Sequence, residues 1–268
     1  MTSLPTRAQV LETLLQRWDP VSQTETIPVE AALGRVLTRD QYAQATIPVA
    51  RASAMDGVAV CAVRFGQGMP DTAGWKLGVD FCRADTGDDF DDRFDAVIPI
   101  ERVQISEKGQ LTILGDMQVR PGDNIRPRGS AIRTGELVAR KHRQLRPFDL
   151  ACLAMGGIAQ VEVYRRPRVA FIPTGSELVP LGAPVGRGQT IDSNTLLAQA
   201  MLTEMGAEPL CYPIVPDQPV ALAEALEQAL QAADILLLNG GSSKGAEDYN
   251  ARLLEERGAA LFHWVAAA

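Results

Sequence analysis

Hydrophobic positions recur with two different periods along the first part of the chain. Between residues 6 and 18, apolar side chains stand at helical spacing, and Thr6 with Gln9 has the pattern of a capping box, so this stretch predicts an amphipathic helix that Pro20 ends. From about residue 24 to residue 164, short apolar stretches are separated by Gly, Asp and Pro turns; they include VAVCAV, DAVIPIERV, QLTIL and AQVEVY. This pattern is typical of a region built mostly of strands.

From Arg168 onward, apolar runs and amphipathic runs alternate. The sequence predicts a strand in RVAFIPTG, a helix with a glycine stop in NTLLAQAMLTEMG, and a second strand in EPLCYPIV. A helix in VALAEALEQALQ, a strand in DILLLN, a helix near DYNARLLEERG and the apolar AALFHWV follow. Alternation of this kind predicts an α/β fold with a parallel sheet covered by helices.

Three loops are expected at the carboxyl ends of these strands, where parallel sheets bind their ligands. The loops are PTGSEL, VPDQP and NGGSSKGAED, and they carry Glu177, Asp217 and Asp248. Carboxylates that converge at one sheet edge are suitable ligands for Mg²⁺. The alternative, for each acid taken singly, is a solvated loop residue.

The third loop also has the composition of an anion site. Gly240 and Gly241 allow the backbone to approach a ligand closely, Ser242 and Ser243 offer hydroxyl donors, and the following helix offers free amides. Lys244 does not stand at the spacing of a Walker loop. The alternative is a Gly-Gly turn that only ends a strand.

One further acid stands in an unusual setting. In RASAMDGVAV, Asp56 lies between a methionine and a glycine directly before a predicted strand. The alternative interpretation is a Met-Asp-Gly turn that opens a hairpin. The two histidines, His142 in a basic stretch and His263 in an apolar one, do not suggest a catalytic triad.

Composition and charge limit the classes of protein to which this chain can belong. A chain of 268 residues that is 46% hydrophobic predicts two or more domains. The net charge of -7 and the lack of a basic block with aromatics argue against nucleic acid. No run approaches the ~20 apolar residues of a membrane span, and the start lacks a signal-peptide pattern, so we expect a cytoplasmic protein. The four cysteines are too dispersed to suggest a zinc site or disulfides.

Several motifs, taken together and in order, resemble the molybdopterin molybdotransferase family, the MoeA group that includes the E domain of gephyrin. They are PVEAALGRVL, SAMDGVAV, DTGDDFDDRFDAVIPIE, RPGDNIRPRG, RPRVAFIPTGSELV, GQTIDSN, VPDQP and NGGSSKGAEDY. The resemblance implies a doubly wound parallel-sheet domain, similar to MoaB and MogA, from residues 1–22 with 165–268. It also implies a β-rich domain at 45–135 and a small elongated linker domain from 23–44 with 136–164.

The resemblance implies an enzyme of molybdenum cofactor biosynthesis. Members insert molybdate into the dithiolene of molybdopterin, use adenylyl-molybdopterin and Mg²⁺, and release AMP. They act as homodimers with the active site between two subunits. A molybdoenzyme or a molybdopterin adenylyltransferase is a further expected partner, whereas nucleic acid and membrane are not.

The resemblance also assigns residues to the site. The expected catalytic set is Asp56, Thr86, Glu177, Asp217 and Asp248, and the last three are also the expected Mg²⁺ ligands. The expected ligand-binding set is Ser53, Gly240, Gly241, Ser243 and Lys244. Glu101 stands at a recognisable family position as well.

The chain also departs from the family pattern. Ser242 and Lys244 replace valines, Ser130 and Ala131 replace a Glu-Asp pair, and the acidic DDFDDRF replaces a proline-containing stretch, where it is expected to repel an oxyanion. The sequence stops at residue 268, where the family continues into a Pro-Gly-Lys-Pro loop and a C-terminal β domain. These departures leave two alternatives open: a non-catalytic molybdopterin or cofactor carrier, and a shortened form of an ordinary enzyme.

Overall fold

A computed structural model describes residues 4–18, 23–240, 253–258 and 261–262. The helices are α1 (Arg7–Arg17), α2 (Pro147–Met155), α3 (Asn194–Glu204) and α4 (Pro219–Ala232). The strands are β1 (Thr24–Pro28), β2 (Gln41–Tyr42), β3 (Ala52–Ser53), β4 (Gly57–Val60), β5 (Phe81–Ala84), β6 (Ala96–Pro99), β7 (Val103–Ile105), β8 (Leu111–Ile113), β9 (Ile125–Arg126), β10 (Leu137–Ala139), β11 (Gln160–Tyr164), β12 (Arg168–Pro173), β13 (Leu178–Val179), β14 (Thr190–Ile191), β15 (Glu208–Cys211) and β16 (Ile235–Asn239). Short 3-10 turns span Val29–Ala31, Ala62–Phe65 and Ile100–Arg102.

The chain divides into two compact units. One contains residues 1–25 and 164–268, and the other contains residues 26–163. We call them the split unit and the central unit. The three-domain division expected from the sequence stays a prediction.

The split unit is built on a parallel sheet in the order β15-β12-β16. The register places Ala170 of β12 beside Leu210 on one side and Leu236 on the other. Buried residues of β12 and α4, among them Ile172 and Leu222, form its core. Gly206 follows α3 with a φ of 85° and so ends this helix, because glycine enters the left-handed region at little cost. The α/β prediction is confirmed.

The first helix begins with the predicted capping box. The Gln9 amide donates to the Thr6 hydroxyl at 3.4 Å, and the Thr6 amide donates to the Gln9 side chain at 2.8 Å. The cap satisfies amides that have no partner inside the helix. No residue of α1 is fully buried, and Leu15 is 76% exposed, so its apolar face lies largely open within the described structure.

The central unit contains an antiparallel sheet in the order β5-β4-β6. All four residues of β4 are buried, since a central strand is covered on both faces by clusters that include Phe81 and Phe94. A Cβ atom at Gly57 would lie 2.0 Å from the carbonyl oxygen of Ile98, so only glycine fits at this crossing.

A separate hydrophobic cluster lies around α2. It consists of Val29, Ala32, Leu37, Ala139, Leu145, Leu153, Ile158, Val161 and Val163. The cluster therefore joins two distant stretches of sequence inside the central unit.

In the part of the chain that the structure describes, no helix is long and apolar enough to cross a membrane.

Candidate functional site

Asp56 is held by two hydrogen bonds from Thr86. The backbone amide of Thr86 donates to Asp56 Oδ1 at 2.7 Å, and the Thr86 hydroxyl donates to the same oxygen at 2.8 Å. Both residues are exposed, so the carboxylate faces solvent while its orientation is fixed. The structure thus brings together two of the predicted catalytic residues.

The two bonds also set the charge of this group. The backbone amide of Thr86, followed by its hydroxyl, lowers the pKa of Asp56 below the ordinary value of an aspartate. Donors to a carboxylate favour its ionised form. Asp56 is therefore an anion at neutral pH.

The turn that carries Asp56 is anchored on both sides. The carbonyl of Asn124 accepts a hydrogen bond from the amide of Ala54 at 2.8 Å, and the carbonyl of Asp56 accepts one from the amide of Ile100 at 2.8 Å. Next along the chain from Ile100 lies Glu101, which is exposed. The strands flanking the turn pair with different partners, β3 with β9 and β4 with β5 and β6, so the segment does not form a hairpin between β3 and β4.

Ser53 lies beneath this turn. Its side chain is fully buried, and its hydroxyl donates to the carbonyl oxygen of Met55. A buried hydroxyl with an internal acceptor supports local backbone geometry. The assignment of Ser53 to ligand binding stays a prediction.

In the split unit, three loops meet at one edge of the parallel sheet. Thr174, at the end of β12, forms a parallel bridge with Val215, and its amide donates to the carbonyl of Asn239 at 2.8 Å. The amide of Gly175 donates to the carbonyl of Val215 at 3.1 Å. The loops that carry Glu177, Asp217 and Gly240 are therefore neighbours, as expected for the carboxyl ends of adjacent parallel strands.

Asp217 is oriented by Ser176. The Ser176 amide donates to Asp217 Oδ2 at 3.1 Å, and the Asp217 amide donates to the Ser176 hydroxyl at 3.2 Å. The carboxylate of Glu177 bends back over Gly175, where a Cβ atom would lie 2.7 Å from its Oε2. Both acids are exposed, so both are accessible to a ligand or an ion.

Gly240 begins the glycine loop in a conformation that other residues rarely adopt. Its φ is 122°, and a Cβ atom would lie 2.4 Å from both the carbonyl and the hydroxyl oxygen of Thr174. The glycine is therefore required by the close approach of two loops. The predicted site residues Gly241, Ser243, Lys244 and Asp248 lie outside the described residues, and their roles stay predictions.

Sequence reasoning missed three residues that contact the site residues or their neighbours: Asn124, Ser176 and Asp88, whose Oδ2 accepts the amide of Asp85 beside Thr86 at 3.0 Å. Asn124 has a φ of 54°, a conformation in which asparagine is enriched, and its position inside RPGDNIRPRG was the available signal. Ser176 stands directly beside Glu177 in a loop that the sequence singles out. Asp88 sits in the acidic stretch, where the sequence offers no way to tell one aspartate from the next.

The donor set at the sheet edge suits a hard cation. Within the described stretches, no three His, Cys, Asp or Glu side chains are grouped closely enough to hold a metal ion alone. Mg²⁺ is commonly bound by one or two carboxylates together with phosphate oxygens and water. Glu177 and Asp217 therefore fit Mg²⁺ as part of a ligand complex.

Comparison with known families gives two matches that together cover most of the chain. The profile described as "MoeA N-terminal region (domain I and II)" matches residues 6–157. The profile described as "Probable molybdopterin binding domain" matches residues 170–268. The first match alone covers more than half of the chain.

Two curated relatives named molybdopterin molybdenumtransferase are similar over nearly the whole chain. The protein from Nostoc sp. is 31% identical over 97% of this chain and 63% of its own length. The protein from Haemophilus influenzae is 30% identical over 96% of this chain and 66% of its own length. The chain thus spans less than two thirds of the length of these relatives.

Solved structures of the molybdopterin biosynthesis MoeA protein from Pyrococcus horikoshii share the fold. One is 30% identical with a TM-score of 0.73, and covers 89% of this chain and 67% of that protein. Another is 27% identical with a TM-score of 0.72, and covers 95% of this chain and 67% of that protein. The similarity extends over both units of the chain.

Proposed function

This chain belongs to the MoeA family, and we propose on that premise that it inserts molybdate into molybdopterin, using the adenylylated form and releasing AMP. One observation carries the proposal: Asp56, in a motif through which the sequence resembles the family, is an exposed, ionised carboxylate fixed by two donors from Thr86. The names of the relatives support it, since they are molybdopterin molybdenumtransferases. Molybdopterin and molybdate are then substrates.

We assign the reactive role to the second oxygen of Asp56. Both Thr86 donors bind Oδ1, so Oδ2 is the atom that faces a ligand in this proposal. An ionised carboxylate of fixed orientation can accept a proton, or can orient a water molecule next to a bound oxyanion. Because the side chain is already ordered, little conformational entropy is lost when it does so. Thr86 acts by keeping Asp56 charged and in place.

At the sheet edge, Glu177 and Asp217 together with Asp248 are the proposed Mg²⁺ ligands. Mg²⁺ held by these acids would polarise phosphoryl oxygens and offset the negative charge of the phosphoanhydride. Ser176 keeps Asp217 oriented through a 3.1 Å bond. The glycine loop, with Gly240, Gly241, Ser243 and Lys244, is the proposed cradle for the phosphate of the pterin, because backbone amides and a lysine complement an anion.

We further propose a cytoplasmic homodimer that receives its substrate from a molybdopterin adenylyltransferase and passes product to a molybdoenzyme. Light scattering after gel filtration tests the dimer. A mass near twice 28.9 kDa is expected, and a mass near 28.9 kDa would contradict it.

Turnover tests the proposed activity directly. The purified chain is supplied with adenylyl-molybdopterin, Mg²⁺ and molybdate, and AMP is measured by chromatography. We expect AMP release that requires molybdate. Tight binding of adenylyl-molybdopterin without any release would contradict the insertase proposal and favour a carrier.

Calorimetric titration tests the metal proposal. Binding of adenylyl-molybdopterin is expected to tighten with Mg²⁺ in the unmodified chain and to lose that dependence in Asp217→Asn. Glu224→Gln is the matched control, because Glu224 is an exposed acid of α4 in the same unit. Equal Mg²⁺ dependence in Asp217→Asn and the control would contradict the assignment.

A further inference from the structure

We propose that Asp88 is a positioning residue that keeps both donors of Thr86 directed at Asp56. This inference rests on the proposed function only in that the function makes Asp56 important. The contacts of Asp88 and the experiment that tests them do not depend on enzymatic turnover. Asp88 is the first acid of the stretch DDFDDRF, for which the sequence alone predicts only repulsion of an oxyanion.

Asp88 closes a four-residue turn around Thr86. Its amide donates to the carbonyl of Asp85 at 2.9 Å, and its Oδ2 accepts the amide of Asp85 at 3.0 Å. Thr86 and Gly87 are the two central residues of this turn, and Gly87 has a φ of 94°, as the third position of a type II turn requires. The carboxylate therefore ties the first residue of the turn to the last.

The same turn is docked on Ser53. The amide of Ser53 donates to the carbonyl of Asp88 at 2.9 Å, and the amide of Gly87 donates to the carbonyl of Ser53 at 2.9 Å. Ser53 is fully buried and lies three residues before Asp56. The Asp88 turn and the Asp56 turn are thus held to each other at the point where Thr86 meets Asp56.

Other acids in or next to this stretch also make hydrogen bonds or ion pairs. Much of the negative charge of the stretch is therefore engaged within the fold. Asp92 pairs with Arg51 at 3.0 Å, Asp91 Oδ1 accepts the amide of Arg93 at 3.0 Å, and Asp95 Oδ1 accepts the amide of Ala62 at 2.7 Å. Among these acids, Asp88 is the last residue of the turn that contains Thr86, and its carboxylate is bonded to the first residue of that turn, Asp85. Loss of its carboxylate leaves the Asp85 amide without this acceptor and frees the turn to move away from Asp56.

The test measures the pKa of Asp56 in the ligand-free protein by carbon NMR of carboxyl-labelled aspartate, with Asp56→Asn used to assign the signal. Asp88→Ala removes both the charge and the acceptor, whereas Asp88→Asn removes the charge and keeps an acceptor for the Asp85 amide. We expect the pKa of Asp56 to rise by about half a unit or more in Asp88→Ala and to stay within about 0.2 units of the parent, or fall, in Asp88→Asn.

Thr86→Val provides the reference, because it removes the hydroxyl donor directly and should raise the pKa of Asp56. If Asp88→Ala leaves this pKa unchanged while Thr86→Val raises it, the positioning role is refuted, and a lower melting temperature alone would then mark Asp88 as merely structural. If Asp88→Ala does not fold, Asp88→Ser replaces it, and an Asp56 pKa that stays at the parent value in Asp88→Ser while Thr86→Val raises it overturns the proposal. Failure of AMP release with an intact pKa effect would refute the proposed function and not this inference.

Discussion

The two places that carry the predicted acids differ in what lies beneath them. Asp56 follows a buried serine and precedes β4, in which Val58, Ala59 and Val60 are completely inaccessible. Glu177 and Asp217 lie in the loops that follow β12 and β15 of the parallel sheet, where Gly175 and Val215 are the last buried residues before the acids. Burial thus reaches the residue next to Asp56, because Gly57 is buried, whereas it stops two residues short of Glu177 and of Asp217.

This difference predicts two modes of holding a ligand. The orientation of Asp56 is fixed during folding, because two donors from Thr86 and a buried strand restrict it. Asp217 has one described hydrogen bond to its carboxylate, so more of the ordering is left to the ligand and the metal. Mutations of the buried residues around Asp56 should therefore mainly lower stability, whereas mutation of Asp217 should mainly weaken ligand binding.

The largest expected effect on stability is at Gly57. Gly57→Ala places a Cβ atom 2.0 Å from the carbonyl oxygen of Ile98, and the buried strands on either side prevent relief. We expect a loss of at least about 3 kcal/mol in the free energy of unfolding, measured by urea titration. Gly74→Ala is the control, since a Cβ atom at Gly74 would meet no other atom within 4 Å. Equal stability of the two variants would contradict the account of β4.

The second comparison sets a core residue of the central unit against a partly exposed strand residue of the split unit. Phe81 is fully buried in the central unit, and Phe81→Ala is expected to cost roughly 3 to 5 kcal/mol. Leu237 is 40% exposed in the split unit, and Leu237→Ala is expected to cost roughly 1 kcal/mol, because little apolar area is lost from the interior. Similar losses in scanning calorimetry would contradict the difference in burial between these two positions.

The smallest expected effects concern two aspartates that are ion-paired in different units. The side-chain hydrogen bond from Arg143 lowers the pKa of Asp149, and the backbone hydrogen bond from Arg168 lowers the pKa of Asp234. A lowered folded-state pKa stabilises the protein above the unfolded pKa, and the gain is lost as pH falls through the folded value.

Asp149→Asn should therefore cost more than Asp234→Asn at pH 7, because the Asp149 side chain is 11% exposed and that of Asp234 is 34% exposed. We expect roughly 2 and roughly 1 kcal/mol, and both differences should shrink below about pH 4. Thermal melts at pH 7 and pH 3 check the sign. Differences that grow on acidification would contradict the assigned pKa directions.

Much of the fold could be predicted from the sequence, because its periodicities are strong. The capping box of α1, the strand ending in Pro173, the helix from Asn194 and its glycine stop were all predicted and are confirmed. The apolar stretch VAVCAV was expected in a region built mostly of strands, yet the strand ends at Val60 and a 3-10 turn follows from Ala62. A short apolar run does not by itself show where backbone pairing stops.

Less of the site could be predicted, because it depends on contacts between distant residues. The sequence singled out Asp56 and Thr86 through a family resemblance, but their separation of 30 positions conceals the hydrogen bonds that join them. The bond between Ser176 and Asp217 spans 41 positions and is equally hidden. Glycines and acids mark where loops lie, whereas the partner of each acid is decided by how the strands pair.

The proposed participation of Asp56 in molybdate insertion can be tested through the release of AMP. The most direct measurement compares molybdate-dependent AMP release by Asp56→Asn with that by Glu107→Gln, an exposed acid in the turn between β7 and β8 of the same unit. The account predicts a loss of at least about 100-fold in Asp56→Asn, with binding of adenylyl-molybdopterin retained and Glu107→Gln like the parent. An Asp56→Asn variant as active as Glu107→Gln would contradict it.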